Sequence, residues 1–219
     1  MSMAAQSDTA LDPVLARAIE RGAVRLGVRL DGAQIAQLVG YLALLQHWNR
    51  AYNLTAVRDP AQMVPRHLLD SLSIAPLITG QRVLDIGSGA GLPGLVLAIA
   101  LPALNVTLLD PALKRTRFLL HAIHQLDLRN VRVERLRVED YAPDVLFDTV
   151  TSRATIALQS LIEASPALLE EGGRLVSMLG KAPEPEAVQI PSDWSLKIER
   201  LDVPGIDAQR HAAVLQRCR

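Results

Sequence analysis

Asp85, Gly87, Gly89 and Asp110 are residues of this chain whose types and spacing suit chemistry. They lie in RVLDIGSGAGLPGLVLAIALPALNVTLLD, from Arg82 to Asp110, where four glycines fall within eight residues and an acid stands on each side. A turn without side chains lets backbone come close to a ligand, which suits a nucleotide-type cofactor. Gly89, Gly91 and Gly94 fit GxGxxG, a weak dinucleotide signal when it stands alone. Asp85 counts against a dinucleotide, because a pyrophosphate at this turn would meet a like charge. An acid there suits a phosphate-free cation, and S-adenosylmethionine carries both an ammonium and a sulfonium. Asp110 stands 23 residues after Gly87, where a carboxylate can accept hydrogen bonds from both ribose hydroxyls. Simpler readings remain open: a tight strand–helix connection explains the glycines, and a helix cap before Pro111 explains Asp110 taken alone.

The elements that must position these residues follow from periodicity. RVLDIG and NVTLLD read as buried strands around the glycine turn and an apolar helix. PALKRTRFLLHAIHQLDL reads as a helix, VRVERLR and FDTVTSR as strands, ALQSLIEASPALLE as a helix ended by Gly172-Gly173, and RLVSMLG as a strand. WSLKIERLDV and HAAVLQRC suit a terminal antiparallel pair. Strands alternating with helices predict an α/β fold with a mainly parallel sheet and ligands at the carboxyl ends of its strands. The third strand is expected to end near Val138 and Glu139, facing an adenine ring; an exposed acid pair is the competing account of Glu139. Residues 1–66 are expected to be an N-terminal helical extension packed on a core of residues 67–219, one compact unit overall. Asp12-Pro13 and Asp31 are helix starts, Ile35, Leu38, Leu42 and Leu45 form one buried stripe, and the run from Asp59-Pro60 to Ile78 reads as a further helix.

Composition narrows the function classes. Of 219 residues, 49% are apolar, so a substantial core is expected. The longest apolar segment, Leu92 to Leu104, is broken by Pro93, Gly94 and Pro102, so no membrane span is expected. The start of the chain carries Asp8 and Asp12 and no leader pattern, and a cytoplasmic location is expected. The single cysteine, Cys218, allows no internal disulfide and no cysteine-based metal site. Lys and Arg number 23, as do Asp and Glu, so bulk charge does not announce a nucleic-acid binder. Local basic groups do occur, from Lys114 to Arg137 and at Arg50, Arg58 and Arg66. The fourth strand ends in Ser152-Arg153-Ala154, where enzymes that methylate exocyclic amines carry an Asn/Asp-Pro-Pro-aromatic motif. With no cysteine pair for covalent attack either, exocyclic amines and pyrimidine carbons are disfavoured acceptors.

HWNRAYNLTAVRDP, RHLLDSL, DIGSGAGLPGLVLAI, LLDPALKRTRFL and SRA resemble, in order, the bacterial RsmG (GidB) family of small-subunit ribosomal RNA guanine-N7 methyltransferases. The resemblance runs from about Leu30 to the C-terminus and is strongest between Trp48 and Arg153. It implies a class I, Rossmann-like methyltransferase fold with an N-terminal helical extension, S-adenosylmethionine as donor and 16S ribosomal RNA as substrate. Because the chain has no net positive charge to attract RNA in general, an assembled or assembling small subunit is the expected substrate form, and a monomer is expected. It places cofactor contacts on Gly87, Leu92, Val138, Glu139 and Arg153, with Asp110 as the ribose-binding acid. Pro111, where the family often has a small hydroxyl residue, and Gly180-Lys181, in place of Lys-Gly, depart from its pattern. Guanine N7 has an in-plane lone pair and no proton, so transfer to it needs alignment and no general base. Arg153 is the expected positioning residue, with a surface ion pair as the simpler account. Asn53, Arg66 and His67 are candidates for RNA contact, although His67 also suits helix packing and Asp70 suits orienting it. Two other functions stay open: a small-molecule methyltransferase with a closed apolar pocket, and a non-catalytic cofactor-binding ribosome assembly factor.

Overall fold

The computed structural model describes residues 12–153, 157–182 and 188–217. Cys218 and Ala154 therefore lie outside the described residues. Two helices open the chain, α1 (Pro13–Arg25) and α2 (Gly32–Tyr52). Asp12 caps α1, its Oδ1 accepting from the amides of Val14 and Leu15, with Pro13 as the first helical residue. Asp31 and Gln34 form a capping box at α2. The side-chain amide of Gln34 also donates to the carbonyls of Ile99 and Ala100, so one residue starts α2 and ties it to the end of another helix. Leu38, Leu42 and Leu45 are buried and Ile35 is half-buried.

The run from Asp59 to Ile78 is not one helix. It divides into α3 (Pro60–Met63), a π-helical turn (Val64–Leu69), α4 (Asp70–Leu72) and a 3-10 turn (Ala75–Leu77). Pro65 supplies a reason, since it has no N–H to donate to a regular helical ladder. The widened turn carries Arg66 and His67.

Seven strands follow among the described residues: β1 (Arg82–Ile86), β2 (Asn105–Leu109), β3 (Val131–Glu134), β4 (Phe147–Arg153), β5 (Leu169–Leu179), β6 (Trp194–Leu201) and β7 (Arg210–Arg217). Between them lie α5 (Gly94–Ala100), α6 (Leu113–Gln125) and α7 (Leu158–Ala164). Sheet order is β3-β2-β1-β4-β5-β7-β6. β1 to β5 pair in parallel, and β7 runs antiparallel between β5 and β6. Two apolar clusters cover the two faces. One joins Ile19, Leu38 and Tyr41 of the first helices to Leu95, Val106 and Phe118; the other holds Leu84, Ile86, Val150, Leu161 and Leu175. The near-continuous apolar run of β1 reflects this double cover.

Two boundaries differ from the sequence reading. β3 stops at Glu134, and Val138 and Glu139 sit on a separate 3-10 turn, Val138–Asp140. α7 stops at Ala164, and β5 begins at Leu169, so Gly172 and Gly173 lie within the strand. The β4–β5 pairing shifts register there, from Phe147↔Leu169 to Thr149↔Arg174, as a glycine pair inside a strand permits.

Candidate active site

The glycine turn is built from below. Asp85, at 0% exposure, accepts a hydrogen bond from the Gly94 amide at 3.0 Å and one from the Thr151 hydroxyl at 3.2 Å. Burial pushes its carboxyl up to about 7, partly offset by these bonds, one with Ser88, and the positive charge of Arg153. A Cβ on Gly94 would lie 2.5 Å from Leu108 Cδ2 and 2.8 Å from Asp85 Oδ2, so this glycine serves close packing. Gly89 differs. Its φ is +58°, and a Cβ there would find nothing nearer than the Gly87 carbonyl at 3.8 Å. The space over Gly89 is open.

Asp110 faces the same turn. Its Oδ2 accepts from the Gly89 amide at 2.9 Å and from Arg115 at 3.2 Å, while Oδ1 accepts from the Ala112 amide at 2.9 Å. Its side chain is fully buried and that of Arg115 is 38% exposed. From the other side, the Tyr41 hydroxyl of α2 donates to the Ala90 carbonyl at 2.8 Å. Burial raises the Tyr41 pKa, so this hydroxyl keeps its proton and remains a donor.

The loop after α2 is organised by Asn49, 3% exposed, whose Oδ1 accepts from the Thr55 amide at 2.9 Å. The Thr55 hydroxyl accepts from the Val57 amide at 3.1 Å and meets His67 Nε2 at 2.9 Å. Burial pushes the His67 pKa down to about 4, offset in part by the Arg66 backbone and reinforced by the charges of Arg153 and Arg66. The ring is neutral at ordinary pH. Asp70 does not orient it. The Asp70 carboxylate instead accepts from Arg153 at 3.2 Å and from Arg210 Nε at 3.1 Å. Arg153 also donates to the Arg66 carbonyl at 3.2 Å.

Two cavities meet at Arg153. The first, about 320 Å³, is lined by Gly87, Gly89, Leu92, Thr55, Arg115 and Arg153 among others. The second, about 430 Å³, has Arg66, His67, Asp70, Arg153, Arg210 and His211 in its wall. The structure thus brings Gly87, Gly89, Leu92 and Arg153 together, and places Arg66 and His67 beside them. Asp85 and Asp110 line neither cavity. Asp85, completely buried like Asp110, supports the turn from beneath through its bond with the Gly94 amide. Val138 and Glu139 are also outside both cavities, Val138 half-buried and Glu139 exposed, because β3 ends early. Asn53 is exposed at the end of α2 with a φ of +48° and lies outside both. Among the described residues no cluster of His, Cys, Asp or Glu could hold a metal ion, and no helix is long and apolar enough to cross a membrane.

A family model described as rRNA small subunit methyltransferase G (GidB) matches residues 34–213. The chain belongs to the GidB family. One relative, the ribosomal RNA small subunit methyltransferase G of Alkalilimnicola ehrlichii, is 47% identical over 201 residues, covering 91% of each chain. The protein of that name from Pseudomonas syringae pv. tomato is 46% identical over 206 residues, 94% of this chain and 98% of its own. Solved structures share the fold at low identity. The tRNA (m1A58) methyltransferase TrmI of Aquifex aeolicus aligns with a TM-score of 0.56 at 15% identity, over 69% of each chain. The methyltransferase yhhF of Escherichia coli aligns with a TM-score of 0.51 at 20% identity, over 67% of this chain and 82% of its own. This GidB chain therefore has the α/β, Rossmann-like methyltransferase fold.

Four contributors to the GidB site were absent from the sequence reading: Tyr41, Thr55, Arg115 and the Arg210-His211 pair. Tyr41 hid within an apolar helical stripe. Arg210 and His211 carried one signal, a cation and an imidazole directly before the apolar run Ala212–Leu215.

Proposed function

We propose that the protein transfers a methyl group from S-adenosylmethionine to N7 of a guanosine in 16S ribosomal RNA, within an assembled or assembling small subunit, as a monomer. Membership of the GidB family supports the RNA substrate, and the open cradle over Gly89 supports the donor. When bound, the donor supplies an electrophilic methyl group on a positively charged sulfur. Gly87, Gly89 and Leu92 leave room for it, and Arg115 is the movable cation through which a ribose gains access to Asp110. Arg153, held by buried Asp70, positions the reacting partners where the cavities join. Val138 and Glu139, on the 3-10 turn that follows β3, would meet the adenine.

The observation that carries the choice of N7 is the state of His67 and Asp70. His67 has a pKa of about 4 and is a poor base; both oxygens of Asp70 are engaged by guanidinium groups. Neither suits removal of a proton, and N7 has none to remove. The test is transfer of labelled methyl to small subunits from a strain lacking this gene, followed by mapping of the label. Single-turnover rates at saturating donor should be nearly flat from about pH 6.5 to 8.5. Saturation matters because Asp85, titrating at about 7, lies under the donor turn. Label on an exocyclic amine, or a steep pH dependence abolished by His67→Ala, would exclude the N7 mechanism.

A further inference from the structure

Charge is even over the whole chain, 23 Lys and Arg against 23 Asp and Glu, but not over one face of it. The 21 residues of α2 and the 13 of α6 include no Asp or Glu. The two helices lie side by side and antiparallel. Phe118 of α6 meets the rings of Tyr41 and Trp48. At one end of the pair the Gln37 side-chain amide donates to the Leu126 carbonyl at 2.9 Å; at the other, Lys114 Nζ donates to the Tyr52 carbonyl at 3.4 Å. Lys114 and Arg117 are exposed one turn apart on α6, and among the described residues neither forms an ion pair. The acids just beyond the ends of α6 are engaged, Asp110 with Arg115 and Asp127 with Arg129.

An aromatic ring completes this face. Tyr52, the last residue of α2, is 43% exposed. Its ring stacks on Trp48, with centroids 5.1 Å apart and planes 29° from parallel, and Trp48 lies in turn against Phe118 and His121. Tyr52 is thus held in place by other rings without being covered by them.

We propose that the Tyr52 end of the α2–α6 face docks a single-stranded segment of the substrate RNA beside the acceptor nucleotide, one base stacking on Tyr52 while Lys114 and Arg117 hold phosphates. The inference rests on the methyl-transfer reading above. Cations free of neighbouring acids suit a polyanion, and an exposed ring beside them suits a strand whose bases are unstacked, since a duplex keeps its base faces covered. The surface is separate from both cavities but adjoins one of them. Leu54 and Thr55, which follow Tyr52 closely, and Arg115, directly after Lys114, line the donor cavity, so a strand lying here passes its rim.

The test uses the full-length protein, saturating S-adenosylmethionine and small subunits from a strain lacking this gene, over a series of salt concentrations. Tyr52→Leu keeps apolar cover over Trp48 but has no ring; it should raise the apparent KM about tenfold, as for loss of one base stack, with kcat little changed. Tyr52→Phe should behave as the wild type. Lys114→Gln and Arg117→Gln should each raise KM and lessen the slope of log KM on log salt by about 1; they carry the test if Tyr52→Leu fails to fold. Lys197→Gln, on β6 at the sheet edge opposite β3, should change neither KM nor slope. Affinity for S-adenosylhomocysteine, read by calorimetry, should be that of the wild type throughout. Photo-crosslinking from p-benzoylphenylalanine in place of Tyr52 identifies the occupant: attachment to 16S RNA supports the proposal, and attachment to a ribosomal protein alone overturns it. Unchanged KM and slope in the folded variants of Tyr52, Lys114 and Arg117 also overturn it, as does a loss confined to S-adenosylhomocysteine affinity. Failure of the wild type to label any RNA would instead overturn the methyl-transfer reading.

Discussion

Two buried groups of the site titrate in opposite senses, and their separation by mutation gives a quantitative test. Asp85 has a folded pKa of about 7 against an ordinary value of 3.8. Between those values the native protein holds a proton that the unfolded chain has released. Stability therefore falls as pH rises through the window, by about 1.4 kcal/mol per pH unit, or about 4 kcal/mol in all. His67 has a folded pKa of about 4 against 6.5. There the unfolded chain holds the extra proton, and stability rises with pH by about 3 kcal/mol across the window. Between pH 4 and 6.5 the slopes cancel, so the wild type should be nearly level. A small loss, under about 1 kcal/mol, should follow as Asp85 alone finishes titrating near pH 7. Urea unfolding at half-unit pH steps measures this. In His67→Gln the stability should fall steadily from pH 4 to 7; in Asp85→Asn it should rise from pH 4 to 6.5. If neither variant changes the slope of the wild type, the burial argument for both groups is refuted.

Gly94→Ala forces a methyl against Leu108 and Asp85 and should destabilise the protein by about 1–3 kcal/mol, seen as a lowered Tm. Tyr41→Phe leaves the Ala90 carbonyl unpaired in a buried setting; it should cost about 1–2 kcal/mol of stability and weaken donor binding in calorimetry, because α2 no longer holds the turn. Asp110→Ala should weaken S-adenosylmethionine binding by about 1–3 kcal/mol, through loss of both the ribose acceptor and the Gly89 anchor. The shared apolar cluster of α1, α2, α5 and α6 predicts that residues 12–66 and the sheet unfold in one transition; two resolved steps in calorimetric melting would show the helices to be a separate unit.

The sheet and the glycine turn were legible because their signals are local. Short apolar runs such as Val83–Leu84 and Leu108–Leu109 mark the buried strands, and Gly87 to Gly94 announce a close approach of backbone. What was not legible depends on contacts distant in sequence. Nothing local marks Tyr41 as the partner of Ala90, 49 positions away, or Asp70 as the partner of Arg210, 140 positions away. The pairing of Asp70 with His67 was a natural sequence guess, since helical neighbours three apart share a face; the π-helical turn breaks that spacing. Asp85 and Asp110 were found by motif, yet their orientation is set by amides of Gly94, Gly89 and Ala112, which no side-chain pattern encodes. Val138 and Glu139 were placed by extending an alternating pattern past the residue where pairing with β2 stops.

The position of β7 has a consequence for when the protein becomes competent. β7 follows β6 in sequence, but among the described residues it lies between β5 and β6 rather than at the sheet edge, and Arg210 at its start completes the hold on Asp70. During synthesis β6 emerges with no neighbour, and the second cavity lacks Arg210 and His211. These parts can assemble only after β7 has been made. A nascent copy in which β7 has not yet emerged has no finished second cavity, so termination before Arg210 leaves a glycine turn without the rest of the site.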